Sequence, residues 1–312
     1  MKLCALRYLV CWGVVICLVT GGAMAEAGQR ILFIAGAPSH GYGSHEHYAG
    51  SRLLAQTVKE AGLDVHVDVV KGWPQDATLI DAADSIVIYC DGGGRHPALK
   101  HVEQVQAQID RGAGFVCLHY AVEVPLGDPG KHFLNWLGGY FEPHWSVNPH
   151  WTANFSKLPE HPITRGVESF SSNDEWYFHM RFQPGMKGVT PILSDVPPAS
   201  TMERRDGPHS GNPDVRKAVA AGEPQHVAWA YERPDGGRSF GFTGGHYHWN
   251  WGQEPFRRLV TNAILWSAKV EVPDEGAKAQ ALGLTALQAD QDEEPGEKFS
   301  AEETREKFNL GK

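Results

Sequence analysis

Four strand-like runs, three of them nearly continuously apolar, separated by segments with helical apolar spacing, restrict what this chain can fold into more than any other feature. They are Arg30 to Ala35 (RILFIA), Val65 to Val69, Ser85 to Cys90 (SIVIYC) and Gly114 to His119 (GFVCLH). A strand apolar at every position needs cover on both faces, which a parallel sheet between helical layers provides. Between the runs, Glu46 to Ala61 carries apolar residues at Tyr48, Leu53, Leu54 and Val58, and Pro97 to Arg111 reads as a second helix. The alternation predicts an α/β fold with a mostly parallel central sheet. Such sheets bind ligands beyond the carboxyl ends of their strands.

Residues 120–224 are poorer in periodicity and rich in Pro, Gly, Trp and His, the pattern of long loops that build a binding wall or lid. Val227 to Tyr231 and Ser239 to Thr243 flank Pro234-Asp235-Gly236-Gly237 and predict a hairpin; Glu254 to Ala268 predicts the last large helix. After Val270 the composition turns to Ala, Glu, Asp, Gln and Lys. With few large apolar groups, residues 270–312 read as an acidic tail that docks weakly or stays mobile, with short helices at Leu282 to Ala289 and Ala301 to Phe308.

At the other end, Lys2 and Arg7 precede an apolar run from Tyr8 to Thr20, and Ala23-Met24-Ala25 supplies a small-x-small cleavage pattern. Residues 1–25 therefore read as a signal peptide, and the mature protein is expected to be exported, periplasmic or extracellular, without an integral membrane segment. Cleavage leaves 26 basic against 37 acidic residues, a formal charge of −11. That balance excludes a phosphate-backbone partner, so no nucleic acid is expected. Cys4, Cys11 and Cys17 leave with the leader, and Cys90 and Cys117 remain either as buried thiols or as one disulfide.

Sixteen histidines gather beside glycine and aromatics at places that read as strand ends. Neutral imidazole is the commonest ligand for transition metals and the usual base near neutral pH. His40 follows the first strand, His119 ends the fourth, and His246 follows a late strand. These are the candidate metal ligands, for a divalent ion with zinc the default. His47, His248 and Glu175, the last from Asn173-Asp174-Glu175-Trp176-Tyr177, are candidates for proton transfer or further ligation. His45 fits a surface or helix-cap role as well as ligation. Asp91 and Gly92, in an Asp-Gly-Gly-Gly turn, could receive a substrate oxygen, although a plain tight turn accounts for them too. Tyr120, Trp145, Trp176 and Trp249 are candidate sugar platforms; buried packing is their structural alternative.

ILFIAG, the Asp-Gly-Gly-Gly turn, GAGFVCLHYA, HPITRGV, NDEWY and GFTGGHYHWNW together give the chain, over Gln29 to Lys269, a resemblance to the ThuA-like (trehalose utilisation) family of the class I glutamine amidotransferase-like superfamily. The resemblance implies a flavodoxin-like three-layer sandwich. In the glutaminase relatives the turn after the equivalent strand carries a nucleophilic cysteine, and a late His-Pro-Glu segment completes a triad. Here those places hold His119 and His246-Tyr247-His248, which removes glutaminase chemistry. The resemblance implies a carbohydrate substrate, 3-keto glycosides and disaccharides among the options. The resulting expectation is a metal-dependent carbohydrate lyase or hydrolase. Its rivals are a non-catalytic sugar-binding or accessory protein that retains the old pocket and, more remotely, an amidase using Cys117; a homo-oligomer stays open.

Overall fold

The structure is a computed structural model that describes residues 28–280 and 282–310; the leader expected over residues 1–25 lies outside the described residues. Strand β1 (Gln29–Ala35) leads into α1 (His47–Glu60), then β2 (Val65–Lys71), α2 (Ala77–Asp81), β3 (Ser85–Tyr89), α3 (Val102–Asp110), β4 (Gly114–Leu118) and α4 (Asp128–Leu137). The irregular middle contains β5 (Gly139–Tyr140), β6 (Trp151–Phe155), β7 (Phe170–Asp174) and β8 (Arg181–Phe182), which make two small ribbons, β5 with β8 and β6 with β7. The chain then forms β9 (Val189–Asp195), α5 (Pro213–Ala220), β10 (Gln225–Glu232), β11 (Arg238–Phe242) and α6 (Glu254–Ser267). Beyond it lie α7 (Leu284–Leu287) and α8 (Ala301–Phe308).

Seven strands form the central sheet in the order β2-β1-β3-β4-β11-β10-β9. Strands β1 to β4 and β11 run parallel, and β10 is antiparallel to both neighbours. The predicted hairpin is β10 and β11. Sequence periodicity explains the layers. Successive residues of a strand point to opposite faces, so Ile31 and Phe33 join one core while Leu32 and Ile34 join the other. The first core is closed by Leu54 and Val58 of α1 and Leu259, Val260 and Ile264 of α6; the second by Val105 and Ile109 of α3 and Phe133, Trp136 and Leu137 of α4. Each such side chain, fully buried, contributes about 1.5–3 kcal/mol. Cys90 and Cys117 are free and buried in the second core, so the disulfide alternative falls.

The C-terminal segment departs from expectation. Leu284, Leu287, Phe308 and Leu310 are buried and belong to the first core. Few apolar residues suffice because they meet an aromatic surface: Trp249 stacks on Phe299 at 5.8 Å, and Tyr247 meets Phe308 at 5.1 Å. No helix among the described residues is long and apolar enough to cross a membrane.

Candidate metal centre

Loops leaving β1, β3, β4 and β11 meet at one edge of the sheet. His119 is the first residue after β4, and His45 ends the loop after β1; both hold a left-handed backbone, with φ of 55° and 52°. That conformation is uncommon outside glycine and costs of order 1–3 kcal/mol, so the surrounding structure must impose it. Backbone pairing supplies part of the constraint. The His45 N–H donates to the His246 carbonyl at 3.0 Å and the His248 N–H to the Gly43 carbonyl at 2.9 Å, which draws the two histidine loops together. Asp174, fully buried at the end of β7, accepts the N–H groups of Gly245 (2.7 Å) and His246 (3.1 Å) and the side-chain amide of Asn250 (2.9 Å).

These constraints bring His45, His119, His246 and Glu175 into one cluster, their ligand atoms all within 4.8 Å of one another. His45 Nε2 lies 3.0 Å from both His119 Nε2 and His246 Nδ1. Glu175 Oε2 lies 3.2 Å from His246 Nδ1 and 3.6 Å from His119 Nε2. The protons can be placed. His119 Nδ1 faces the Thr243 carbonyl at 2.9 Å, an acceptor only, so Nδ1 carries the proton and Nε2 presents a lone pair. His45 Nδ1 faces Asp91 Oδ1 at 2.8 Å, and the same reasoning leaves its Nε2 bare. Two lone pairs at 3.0 Å repel unless a cation lies between them.

Protonation does not remove the conflict. Burial pushes the His119 imidazole well below its usual range, helped by neighbouring His45 and His246, and burial also lowers His45 against the opposing hydrogen bond to Asp91. Burial alone would raise Asp91, but hydrogen bonds from His45 and Ser39 hold it at about 2, so it stays a carboxylate. Neutral imidazoles fixed by an outer carboxylate and a carbonyl are how metal-binding histidines are held. A tetrahedral zinc with bonds of about 2.0–2.1 Å puts its ligand atoms about 3.3 Å apart, in the middle of the separations found in this cluster. The residues fit a divalent ion.

A cavity of about 310 Å³ opens on the cluster, lined by His40, His45, Tyr120, Asn148, Glu175, Tyr177, Arg204 and His209. A second, of about 350 Å³, adjoins it through Asn148, Glu175 and Arg204. Tyr177 is buried with its hydroxyl 3.2 Å from His119 Nε2 and 3.4 Å from Glu175 Oε2, and burial keeps it a phenol by raising its pKa. On the cavity wall His209 Nε2 pairs with buried Glu123 Oε1 at 3.0 Å, a bond that raises the imidazole pKa.

The sequence candidates divide accordingly. His119, His246 and Glu175 are in the cluster, and Tyr120 lines the cavity. His40 is exposed and lies over His45, ring centroids 3.7 Å apart, with its Nδ1 on Ser39; it groups with His45 and Asp91 and not with the four-residue cluster, which includes His45. Asp91 orients His45. Gly92 packs against the His119 turn, where a Cβ would meet the Tyr120 carbonyl at 2.2 Å, so close approach explains this glycine. His47 is buried behind Asp91, donating Nδ1–H to the Ala37 carbonyl at 3.0 Å, and burial lowers it to about 4. His248 is buried beside Leu287, not in the cavity, because it lies on the short turn that carries the first core.

The tryptophan platforms are also placed elsewhere. Trp176 is fully buried against Phe155, Phe242 and Phe256. Trp249 is buried between Tyr42 and Phe299, and Trp145 packs at a tilt against His179 under the Arg181 guanidinium. Trp176→Ala is expected to cost about 3–5 kcal/mol in urea unfolding as a core truncation; undiminished stability would contradict that placement. Sequence reading missed Tyr177, Asn148, Arg204, His209 and Glu123. The only signal was position: Glu123 follows the His119 turn and Tyr177 stands two residues from Glu175.

The fold has solved counterparts. A ThuA-like protein from Bacteroides uniformis ATCC 8492 superposes with a TM-score of 0.52 at 16% identity, covering 80% of this chain and 94% of that one. One from Parabacteroides merdae ATCC 43184 gives 0.50 at 13%, covering 81% and 98%. None of the curated proteins matches the chain. Residues 30–267 match the ThuA family, described as trehalose utilisation, and the chain belongs to that family.

Proposed function

We propose that this protein is an exported, metal-dependent enzyme acting on glycosides or disaccharides, 3-keto glycosides among them, as a lyase or hydrolase. The observation that carries the reading is the approach of His45 Nε2 and His119 Nε2 to 3.0 Å, each ring with its Nδ1 on an acceptor, beside His246 and Glu175. His45, His119 and His246 would hold a divalent ion, zinc by default, with Glu175 beside them. When bound, the ion supplies Lewis acidity toward a sugar carbonyl or hydroxyl oxygen.

The chain's own groups supply the rest. Glu175 has one oxygen at the cluster and the other on the Asn148 side-chain amide at 3.0 Å, which aims the carboxylate at the cavity as a proton acceptor. Tyr177 stays protonated beside it and can donate. His209, whose pKa its bond to Glu123 raises, faces the same space and would serve as an acid for a departing oxygen. Non-catalytic sugar binding through tryptophan stacking is disfavoured, because the rings of Trp176 and Trp249 are buried in packing. The amidase reading through Cys117 fails on burial, which raises the thiol pKa well above its usual value.

Two measurements test the proposal. Zinc-loaded protein incubated with a panel of disaccharides and 3-keto glycosides is expected to form products that Glu175→Gln fails to form; saturable binding without product would instead make it a binding protein. Asp91→Asn is expected to weaken zinc binding roughly 10–100-fold, since it removes the group that orients His45. An unchanged affinity would detach Asp91 from the centre.

A further inference from the structure

The family match ends at residue 267, yet the segment beyond it covers both histidine loops of the centre. Glu46, the neighbour of His45, is 2% exposed, and among the described residues no Lys or Arg pairs with its carboxylate. Its two oxygens are both taken by backbone: Oε1 accepts the Gly43 N–H at 3.1 Å, within the His45 loop, and Oε2 accepts the Asp292 N–H at 2.8 Å, from the C-terminal segment. Further contacts follow the same path. Gln288 donates to the Tyr42 hydroxyl at 2.9 Å, and Phe299 packs on Tyr42 and Trp249. Arg52 of α1 pairs with Asp290 at 2.8 Å. On the other loop, Lys307 lies 4.4 Å over the ring of Tyr247, next to His246.

We propose that residues 283–310 form a strap that positions the metal centre, with Glu46 as the tie that couples the Asp292 backbone to the loop holding His45. This rests on the metal reading above. His45 sits at a positive φ, a conformation its loop must enforce; the loop is tied inward through Asp91, which Ser39 and His45 meet at 2.9 and 2.8 Å, and through its pairing with residues 246–248, while the strap holds it at Tyr42 and Glu46. A loop released from the strap would keep only those inner ties, and the separation of the Nε2 atoms of His45 and His119 would be held less tightly. Glu46 is thus a positioning residue acting through His45, not a ligand.

The test uses the full mature chain, with Glu46→Gln and Asp292→Pro as variants; the second removes the N–H that Glu46 accepts while leaving Glu46 in place. Zinc affinity is read by competition with a chromophoric chelator, the visible bands of the cobalt(II)-substituted protein report ligand geometry, and the melting temperature of the metal-free protein reports folding. Both variants are expected to bind zinc about tenfold or more weakly, as outer-shell changes do, and to shift the cobalt bands. Unchanged affinity and bands in both, whatever the melting temperature, would overturn the proposal. An effect in Glu46→Gln alone would confine Glu46 to its own loop and also overturn it. A wild-type chain that takes up neither metal would sink the metal reading first. Should Glu46→Gln fail to fold, Asp292→Pro and Phe299→Ala decide by the same readouts.

Discussion

His45→Ala should lose its metal, while His40→Ala should keep it. In the cluster His45 Nε2 is the atom nearest both other nitrogens, 3.0 Å from each, and its Nδ1 is anchored by Asp91. Removing it deletes a proposed ligand and leaves His119 and His246 with no third nitrogen, so affinity is expected to fall by roughly 100-fold or more, beyond the range of outer-shell changes. His40 is exposed and covers His45 without pointing a nitrogen into the four-residue cluster. Its alanine variant should stay within a few-fold of wild type. Titration of the metal-free variants with zinc checks the contrast, and a larger loss in His40→Ala than in His45→Ala would reverse the ligand assignment.

Asp174→Ala should be the most destabilising single change at the site. The carboxylate accepts N–H groups from Gly245, His246 and Asn250, and that of Glu175 at 2.8 Å, in a fully buried position. Alanine leaves these donors buried without partners, at about 1–3 kcal/mol apiece before relaxation. A net loss of about 3 kcal/mol or more is expected, which for a domain of this size lowers the melting temperature by roughly 6–12 °C. Because the same bonds set the backbone of His246, metal retention should fall as well. A melting temperature within a degree or two of wild type would show that the β11 loop holds itself.

The sheet was legible because β1, β3 and β4 are apolar at nearly every position and the helices between them are periodic; Ser85 to Cys90 and Gly114 to His119 leave little choice of partner or layer. The middle of the chain was legible only as a wall, since Tyr177, Arg204 and His209 converge through loops that carry no repeat. For the site, His119 and His246 were legible because they follow strands of the sheet directly or within a few residues, although a positive φ at His119 and the Asp174 bonds at His246 complete their placement. The choice between His40 and His45 was not legible. Both occur in one loop after β1, and which of them turns inward depends on the pairing of residues 43–45 with 246–248, more than two hundred residues away in sequence. The tryptophans misled for a related reason: an indole beside a site carboxylate in sequence, as in Glu175-Trp176, points the opposite way from it. The tail misled because its acidic composition hides four apolar residues that meet an aromatic surface made elsewhere in the chain.

Metal content tests the account most directly. Protein expressed from Glu26 onward without a histidine tag, reconstituted with zinc and dialysed, would be measured by elemental mass spectrometry alongside His119→Ala. The account predicts near one equivalent in the wild-type chain and almost none in the variant. No retained metal in the wild-type chain after reconstitution would contradict it.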